Sequence, residues 1–230
     1  MICLISNPGE PLRLKTLPDR TRAIDEADKA RRRQTLLNSA LELFLARPTE
    51  LPSVQSIASR AGLAKGTVYL YFDTKEEIFL TILEELYTSI LRSLLQQLDS
   101  PSAVSNAVSS VISEFTRLHP AFLPLAAMNS SLLEPNVKAE RVMNFKTQLY
   151  EGITQISQTL NQRFPNLSLS ACAQLLINTQ ALVLGLWQMH QMPEVVRNAL
   201  IKNNMSLLAP DFHETLQTGI TCLWQGLNNH

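Results

Sequence analysis

The sequence has few of the residues that build disulfide-bonded, β-rich or membrane-spanning proteins. Its three cysteines are far apart and form no CxxC pair, which argues against a disulfide framework or a zinc ribbon and suits a reducing compartment. Seven glycines supply too few turns for a β-sandwich or barrel. No apolar run reaches the roughly 18 residues of a membrane span, and the apolar start of the chain is too short for a secretory signal. We therefore expect a soluble, helical, cytoplasmic protein.

The sequence also lacks the patterns of catalytic and metal sites. The four histidines, His119, His190, His213 and His230, have no partners at metal-ligand or catalytic-triad spacing. Neither HExxH, GxSxG, a P-loop nor GxGxxG occurs. We therefore predict no catalytic residues, no metal ligands and no cofactor, and we do not expect an enzyme.

Charge is distributed unevenly along a chain whose formal net charge is zero. Residues 29–71 carry seven basic and two acidic side chains, whereas residues 72–230 carry nine basic and thirteen acidic ones. A compact basic segment beside a mildly acidic remainder is typical of a protein that meets a polyanion with one part only. Chance clustering on a solvated helix face would give the same count, so charge alone leaves both interpretations open.

Apolar periodicity divides the chain into three parts: an arm (1–26), a small head (27–73) and a large helical body (74–230). The arm contains three prolines and no sustained apolar period, so we expect it to be irregular and flexible. In the head, apolar residues at steps of three and four predict a helix that starts near Ala27 and ends before Pro48.

Two short helices joined by a tight turn are predicted next in the head. Ser53 is a suitable N-cap for a helix from Val54 to Ala61, and Gly62 permits the turn that follows. A second short helix is predicted at about residues 64–70. Two short helices around a glycine-containing turn are the helix-turn-helix arrangement.

The body begins with a long helix. Thr74 and Glu77 form a capping box for it, and its apolar face continues to about Leu98. Proline-containing breaks separate the helices predicted beyond it, which cover about residues 102–118, 121–132, 136–163, 169–190, 194–203 and 211–227.

The segment that follows Ser56 carries a recognisable signature. Residues 57–77 read IASRAGLAKGTVYLYFDTKEE, which closely resembles the DNA-binding signature of TetR/AcrR-family regulators. The similarity extends less specifically from Ala27 to Leu86, and it departs from the family pattern at Val54, usually Thr, and at Ile78, usually Leu. The resemblance implies an all-α fold. In that fold, an N-terminal helix-turn-helix three-helix DNA-binding head precedes a C-terminal antiparallel helical bundle for ligand binding and dimerisation.

The resemblance also implies DNA contacts at eight positions. Those on the second short helix correspond to family positions that touch bases and phosphates, and the others correspond to contacts with the DNA backbone. The eight residues are Ser53, Gln55, Lys65, Gly66, Thr67, Tyr69, Tyr71 and Lys75. The run from Arg31 to Arg33 is open to two interpretations, a flanking phosphate contact or a solvated helix start.

Two uncharged stretches predict extra buried surface in the body. Residues 118–133 and 164–193 contain no Asp, Glu, Lys or Arg. Helices that are apolar on more than one face must be buried on more than one face, and the resemblance supplies a subunit interface and a ligand cavity as partners. The candidate ligand-binding residues are Phe122, Met128, Asn129, Tyr150, Gln180, Trp187 and His190. A plain core role is the alternative for Met128, Trp187 and His190.

The leading hypothesis is a homodimeric, ligand-responsive repressor that binds a pseudo-palindromic DNA operator. Because the candidate pocket carries no charge, we expect a small neutral or weakly polar, largely apolar ligand. A helix-turn-helix scaffold that serves as a binding or protein-interaction module without sequence-specific DNA recognition is the alternative.

We expect the dimer interface along residues 169–190 and 211–227. The second of these helices carries apolar residues at steps of three and four, namely Phe212, Leu216, Ile220, Leu223 and Leu227. Burial of both stripes in their own subunit is the alternative.

Overall fold

A computed structural model describes residues 20–98 and 104–225. All regular secondary structure in these two ranges is helical, so the predicted all-α fold is confirmed. The α-helices are α1 (Arg20–Ala46), α2 (Val54–Arg60), α3 (Lys65–Val68), α4 (Lys75–Leu98), α5 (Val104–Leu118), α6 (Phe122–Met128), α7 (Ala139–Arg163), α8 (Leu169–His190), α9 (Glu194–Lys202) and α10 (Phe212–Gln225).

The first helix is longer than the sequence predicts. α1 begins at Arg20, so the predicted arm, 1–26, extends too far into the helix. No proline or glycine lies between Pro18 and Pro48, and the residues between include many good helix formers, so nothing stops the helix near Ala27. Residues 1–19 of the predicted arm lie outside the described residues.

The head is a three-helix unit closed by the start of α4. Ile57 and Ala58 of α2, Val68 of α3 and Phe44 of α1 are buried in its core. The predicted cap of α2 is confirmed, since the Ser53 hydroxyl accepts a hydrogen bond from the Ser56 N–H at 3.1 Å. Gly62 follows α2 with φ of +67°, a left-handed conformation that favours glycine, and it turns the chain into α3.

The long helix α4 joins the head to the body. As predicted, the Thr74 hydroxyl accepts from the Glu77 N–H, at 3.1 Å. The Glu77 carboxylate reaches one residue further back than in a regular capping box and accepts from the Asp73 N–H at 2.7 Å. One end of α4 packs on α1 of the head, and its remainder packs on α5, α6 and α7 of the body.

The body is a bundle in which α5 and α7 pack on α4, α8 packs on α7, and α10 packs on α5 and α8. Its helices agree with the predicted ranges to within a few residues, apart from the predicted helix 121–132. There α6 ends at Met128 and continues as a π-helical turn, Asn129–Leu133, and a 3-10 turn, Glu134–Asn136. Pro135 lacks an N–H and restricts the residue before it, so a regular helix cannot continue through this point.

The apolar stripe of α10 faces the interior of its own subunit. Leu216, Ile220 and Trp224 are buried, and α10 packs against α5 and α8. Phe212 and Leu223 are partly buried against the same core. The prediction that this stripe faces a second subunit is therefore wrong for the described residues. Leu227 lies outside them.

The helix α8 keeps an uncovered apolar side. It is long and apolar enough to satisfy the length and composition criteria for a membrane span, with mean hydropathy 1.5, yet only 22% of that window is buried within the subunit. One such helix is weak evidence of a membrane protein, since interface helices of globular proteins share these properties. Leu169, Ile177 and Met189 are at least half exposed on it, so α8 retains a surface that a partner can cover.

Candidate nucleic-acid interface and ligand cavity

The short helix α3 presents a polar and aromatic surface. Lys65, Gly66 and Tyr69 are exposed and Thr67 is partly exposed, whereas Val68 points into the head core. A Cβ built on Gly66 meets no atom within 4 Å. Packing inside the subunit therefore does not require glycine here, and the open surface lets a polyanion approach the backbone closely.

The remaining predicted DNA contacts lie on either side of α3. Gln55 is exposed on α2, Ser53 is exposed although its hydroxyl caps that helix, and Tyr71 is partly exposed. The Lys75 side chain is 38% exposed, and its Nζ lies 3.9 Å from Glu76 Oε1. None of the eight predicted residues is buried, so all of them are accessible to DNA, and their individual roles stay predictions.

The basic residues near α3 have several structural roles. Arg60 donates two hydrogen bonds to Glu42 Oε2, at 2.9 and 2.6 Å, and so ties α2 to α1. Arg31 pairs with Asp28 on the surface of α1. The Arg33 guanidinium lies 5.1 Å from the centre of the Phe72 ring, a cation–π contact between α1 and the turn after α3. Arg33 is therefore part of the head's packing.

Leu70 was not among the predicted contacts. It lies between Tyr69 and Tyr71 just after α3 and is 76% exposed. An apolar side chain at such a surface can contact a thymine methyl group in the major groove. The sequence analysis missed it because it predicted a helix that continues to Leu70. In the structure α3 ends at Val68.

An uncharged chamber of about 80 Å³ lies between α4 and the helices packed around it. Of the seven predicted ligand residues, Phe122 and Gln180 line it. Its lining also includes Tyr87, Ile90, Leu91, Ile112, Leu123, Ala126, Leu149, Ile153, Leu176, Thr179, Val183 and Leu184. No charged side chain lines it, which agrees with the expected character of the ligand site.

Tyr87 is the main polar group of the chamber. Its hydroxyl accepts a hydrogen bond from Gln180 Nε2 at 2.8 Å, and its ring meets Phe122 edge to face with the ring centres 5.1 Å apart. The pKa of Tyr87 is raised to about 12, mainly by burial and to a smaller extent by the charge of Glu134, and the Gln180 hydrogen bond opposes the shift. Tyr87 is therefore a neutral phenol at any physiological pH.

A larger groove of about 450 Å³ runs between α4 and α7 beside the chamber. The two cavities share Tyr87, Leu91 and Leu149 as lining residues, so these side chains form the wall between them. Unlike the chamber, the groove has charged lining residues, which are Glu84, Arg92 and Glu151. At Gly152 an added Cβ would lie 2.7 Å from Leu91 Cδ1, so this glycine gives the Leu91 side chain the space it occupies.

The other predicted ligand residues lie elsewhere. Trp187 and His190 line a separate cleft of about 400 Å³ beside α10. Tyr150 is 72% exposed and lines neither the chamber nor the groove. Met128 is partly buried against the core, and Asn129 donates a hydrogen bond to Glu134 Oε1 at 2.6 Å. The structure therefore does not bring the seven residues into one pocket.

Both ring nitrogens of the partly buried His190 lie close to backbone carbonyl oxygens. Nδ1 lies 2.8 Å from the Leu186 carbonyl oxygen, and Nε2 lies 2.7 Å from the Pro210 carbonyl oxygen. Within the described ranges, no group of three or more His, Cys, Asp or Glu side chains could hold a metal ion.

Two ion pairs connect the N-terminal end of α7 with the head and α4. Lys138 Nζ lies 2.6 Å from Asp73 Oδ2, in the turn that leads into α4. Arg141 forms a bidentate pair with Glu84 of α4 and also donates to the Thr81 hydroxyl at 3.3 Å. The first pair is largely exposed and the second is mostly buried.

Curated relatives resemble part of the chain. The fatty acid metabolism regulator protein of Bacillus subtilis is 24% identical over 123 residues, which cover 51% of this chain and 63% of the relative. The transcriptional repressor KstR2 of Rhodococcus jostii is 31% identical over 103 residues, which cover 43% of this chain and 50% of the relative. The matched part of this chain thus spans less than two thirds of either relative.

Solved structures resemble nearly the whole described fold. The fatty acid degradation regulator FadR of Bacillus halodurans aligns with a TM-score of 0.55 at 16% identity, covering 85% of this chain and 95% of that one. FadR of Bacillus subtilis, solved in complex with stearoyl-CoA, aligns with a TM-score of 0.54 at 18% identity, covering 84% and 98%. At these identities the similarity establishes a shared fold.

Family models cover both the head and the body. The model of bacterial regulatory proteins of the tetR family matches residues 36–82, and that of the tetracyclin repressor-like C-terminal domain matches residues 83–230. The two matches together include α3, the chamber and the groove. This chain belongs to the TetR family of bacterial transcriptional regulators.

Proposed function

We propose that this protein is a homodimeric, cytoplasmic transcriptional repressor that a largely apolar small molecule releases from a pseudo-palindromic DNA operator. The observation that carries the proposal is the exposed surface at α3. Lys65, Gly66, Thr67 and the adjoining Tyr69 are exposed or partly exposed there, while the buried Val68 fixes the helix to the head core. A rigid three-helix head that offers accessible polar side chains on a short second helix is the geometry of major-groove recognition.

The charge of the head supports DNA as the partner. The basic side chains of residues 29–71 outnumber the acidic ones by seven to two. Three of these basic groups, Arg31, Arg47 and Arg60, are paired with acidic side chains, while Lys65 is exposed on α3. Phosphate contacts supply most of the salt-dependent affinity, and base contacts supply the sequence preference.

The cavities support an elongated ligand with an apolar end. The chamber, at about 80 Å³, lies far below the roughly 300–1,000 Å³ of common ligand sites, whereas the groove, at about 450 Å³, falls within that range. A chain-like ligand would place its polar end in the groove and its apolar end in the chamber, displacing Leu91 and Leu149. Stearoyl-CoA bound to the Bacillus subtilis FadR has this general form, so we propose a fatty acyl compound as the ligand class.

The uncovered side of α8 supports the homodimer. Ala181 and Gly185 are exposed small residues that allow another helix to approach closely. Thr218 and Cys222 are exposed on the neighbouring α10. Two helices from each subunit can therefore form an isologous four-helix interface.

The helix α4 supplies a route between ligand and DNA. Tyr87, Ile90 and Leu91, in the middle of α4, line the chamber. Ile78 and Phe79, in its first turns, are buried against the head. A ligand that opens the wall at Leu91 changes the position of α4, and with it the spacing of the two heads. The ligand releases DNA only to the extent that it binds the released state more tightly.

The test is selection of bound sequences from a random DNA pool, followed by gel retardation at low and moderate salt. We expect a two-fold symmetric consensus and a retarded complex, which fatty acyl compounds of sufficient chain length dissociate. Thr67→Val should relax the consensus, while Arg117→Ala, at an exposed position of α5, should leave it unchanged. Binding without an enriched sequence would favour the non-specific binding module, and no binding at low salt would refute the DNA-binding function.

A further inference from the structure

The segment between α8 and α10 exposes an unusual amount of apolar surface. Residues 194–208, here called the α9 segment, comprise α9 and a 3-10 turn, Ser206–Leu208, and none of them is buried. Leu207 is 94% exposed. The other large apolar side chains that are exposed in the segment are Val195, Val196, Ile201, Met205 and Leu208. Six exposed large apolar side chains within fifteen residues point to an interaction site.

The base of the α9 segment is fixed. The two ring nitrogens of His190 lie 2.8 and 2.7 Å from the carbonyl oxygens of Leu186 and Pro210, and so connect the end of α8 with the start of α10. Arg197 Nη2 donates to the His190 carbonyl oxygen at 3.3 Å, which ties α9 to the same point. The segment is thus held at a defined place, and its apolar side chains still lack a cover within the subunit.

The outer face of α8 and α10 exposes few large apolar side chains. Its large exposed apolar residues are Leu169, Ile177 and Met189, all on α8, and the described part of α10 exposes none. The centre of an interface is normally its most apolar part. The α9 segment begins four residues after α8 ends and close in sequence to Met189, so it can extend that face.

We propose that the α9 segment packs on a second copy of this chain, against the N-terminal half of that copy's α8. The inference rests on the homodimer of the proposed function. Two antiparallel α8 helices that cross midway between Ala181 and Gly185 set the geometry. Within each helix, Met189 lies about 9 Å from the crossing point on one side, and Ile177 lies about 9 Å from it on the other. Met189 of one subunit then meets Ile177 of the other, and the α9 segment reaches the region of Leu169.

The charge of the segment favours a protein surface over a membrane. Glu194, Arg197 and Lys202 are the only charged side chains in residues 194–208. Helices that lie on membranes are rich in Lys and Arg on their polar face, and this segment is not. The N-terminal half of α8 is uncharged, so packing against it buries no unpaired charge.

The test compares Leu207→Glu with Leu118→Glu, a matched control at the end of α5, outside the α9 segment, where the leucine is 65% exposed. Sedimentation equilibrium should show a dimer dissociation constant at least tenfold higher for Leu207→Glu and unchanged for Leu118→Glu. Circular dichroism should show equal helix content for both, because Leu207 is 94% exposed in the subunit. Amide hydrogen exchange in residues 194–208 should slow as the wild-type protein is concentrated from monomer to dimer.

Ala181→Glu separates this inference from the dimer itself. If it produces a monomer while Leu207→Glu leaves the dissociation constant unchanged, the homodimer stands and the role of the α9 segment is refuted. A dimer that survives Ala181→Glu would refute the α8 interface and the inference with it. Flotation of the wild-type dimer with phosphatidylglycerol vesicles, lost in Leu207→Glu without a change in dimerisation, would assign the segment to a membrane surface and overturn the proposal.

Discussion

Replacing Tyr87 by Phe tests how the chamber is held together. The substitution keeps the ring and its edge-to-face contact with Phe122, but it removes the hydroxyl that accepts from Gln180 Nε2. A partly buried amide N–H then loses its partner, which costs about 1–2 kcal/mol. Urea unfolding at pH 8 should therefore show the variant to be less stable than the wild type by about that amount.

The pH dependence gives the same substitution a second signature. Burial raises the pKa of Tyr87 to about 12 from its ordinary value of about 10. As the pH rises through this window the unfolded chain releases the phenolic proton while the folded protein keeps it, so stability falls with pH. Through Tyr87 the wild type should lose on the order of 1 kcal/mol of stability by pH 11 and more at still higher pH, and Tyr87→Phe lacks this loss.

The wild type and Tyr87→Phe should therefore be about equally stable near pH 11, and the variant should be the more stable of the two above that pH. Tyr150→Phe is the control, because Tyr150 is 72% exposed and its substitution should change stability by no more than about 0.5 kcal/mol at either pH. A difference between wild type and Tyr87→Phe that stays constant from pH 8 to pH 11 would refute the burial of the neutral phenol.

Three further substitutions test the head, the core and the wall of the chamber. Lys75→Ala should weaken specific and non-specific DNA binding alike and lower the salt slope by about 1, whereas an altered consensus with an unchanged slope would contradict a phosphate contact. Leu216→Ala should lower the free energy of unfolding by about 2–5 kcal/mol, because the side chain is fully buried in its own subunit. A variant whose dimer dissociates while its subunit stability is unchanged would contradict that burial. Gly152→Ala should push Leu91 from its place and change the affinity for fatty acyl compounds in isothermal titration, and an unchanged affinity would place the ligand elsewhere.

The head could be predicted in detail because its signals are local. Ser53 caps α2 and Thr74 caps the helix that follows Asp73, as the sequence indicates, and both interactions lie within one helical turn. The start of α1 could not be placed in the same way. The stretch before Arg20 contains Pro8, Pro11 and Pro18, and this composition suggested a later start.

The body shows where sequence periodicity stops being informative. Periodicity indicates that Leu216 and Ile220 share one face of α10, but it does not indicate whether that face meets its own subunit or another one. The chamber depends on contacts of the same long-range kind, since Tyr87 and Gln180 are separated by 93 positions in the chain. For this reason Tyr87 was missed, and Tyr150 was assigned to a pocket that it does not line.

The two ion pairs at the start of α7 differ in their exposure, and this makes the junction between head and body sensitive to ionic strength. Lys138 and Asp73 are 76% and 54% exposed, so salt screens their attraction, whereas Arg141 and Glu84 are 21% and 14% exposed and are screened much less. Rising salt thus weakens the link between Lys138 and Asp73 while the link between Arg141 and Glu84 persists. The measured salt dependence of DNA binding then contains a contribution from this junction as well as from released counterions, so a difference in slope between variant and wild type reports phosphate contacts more directly than the slope itself.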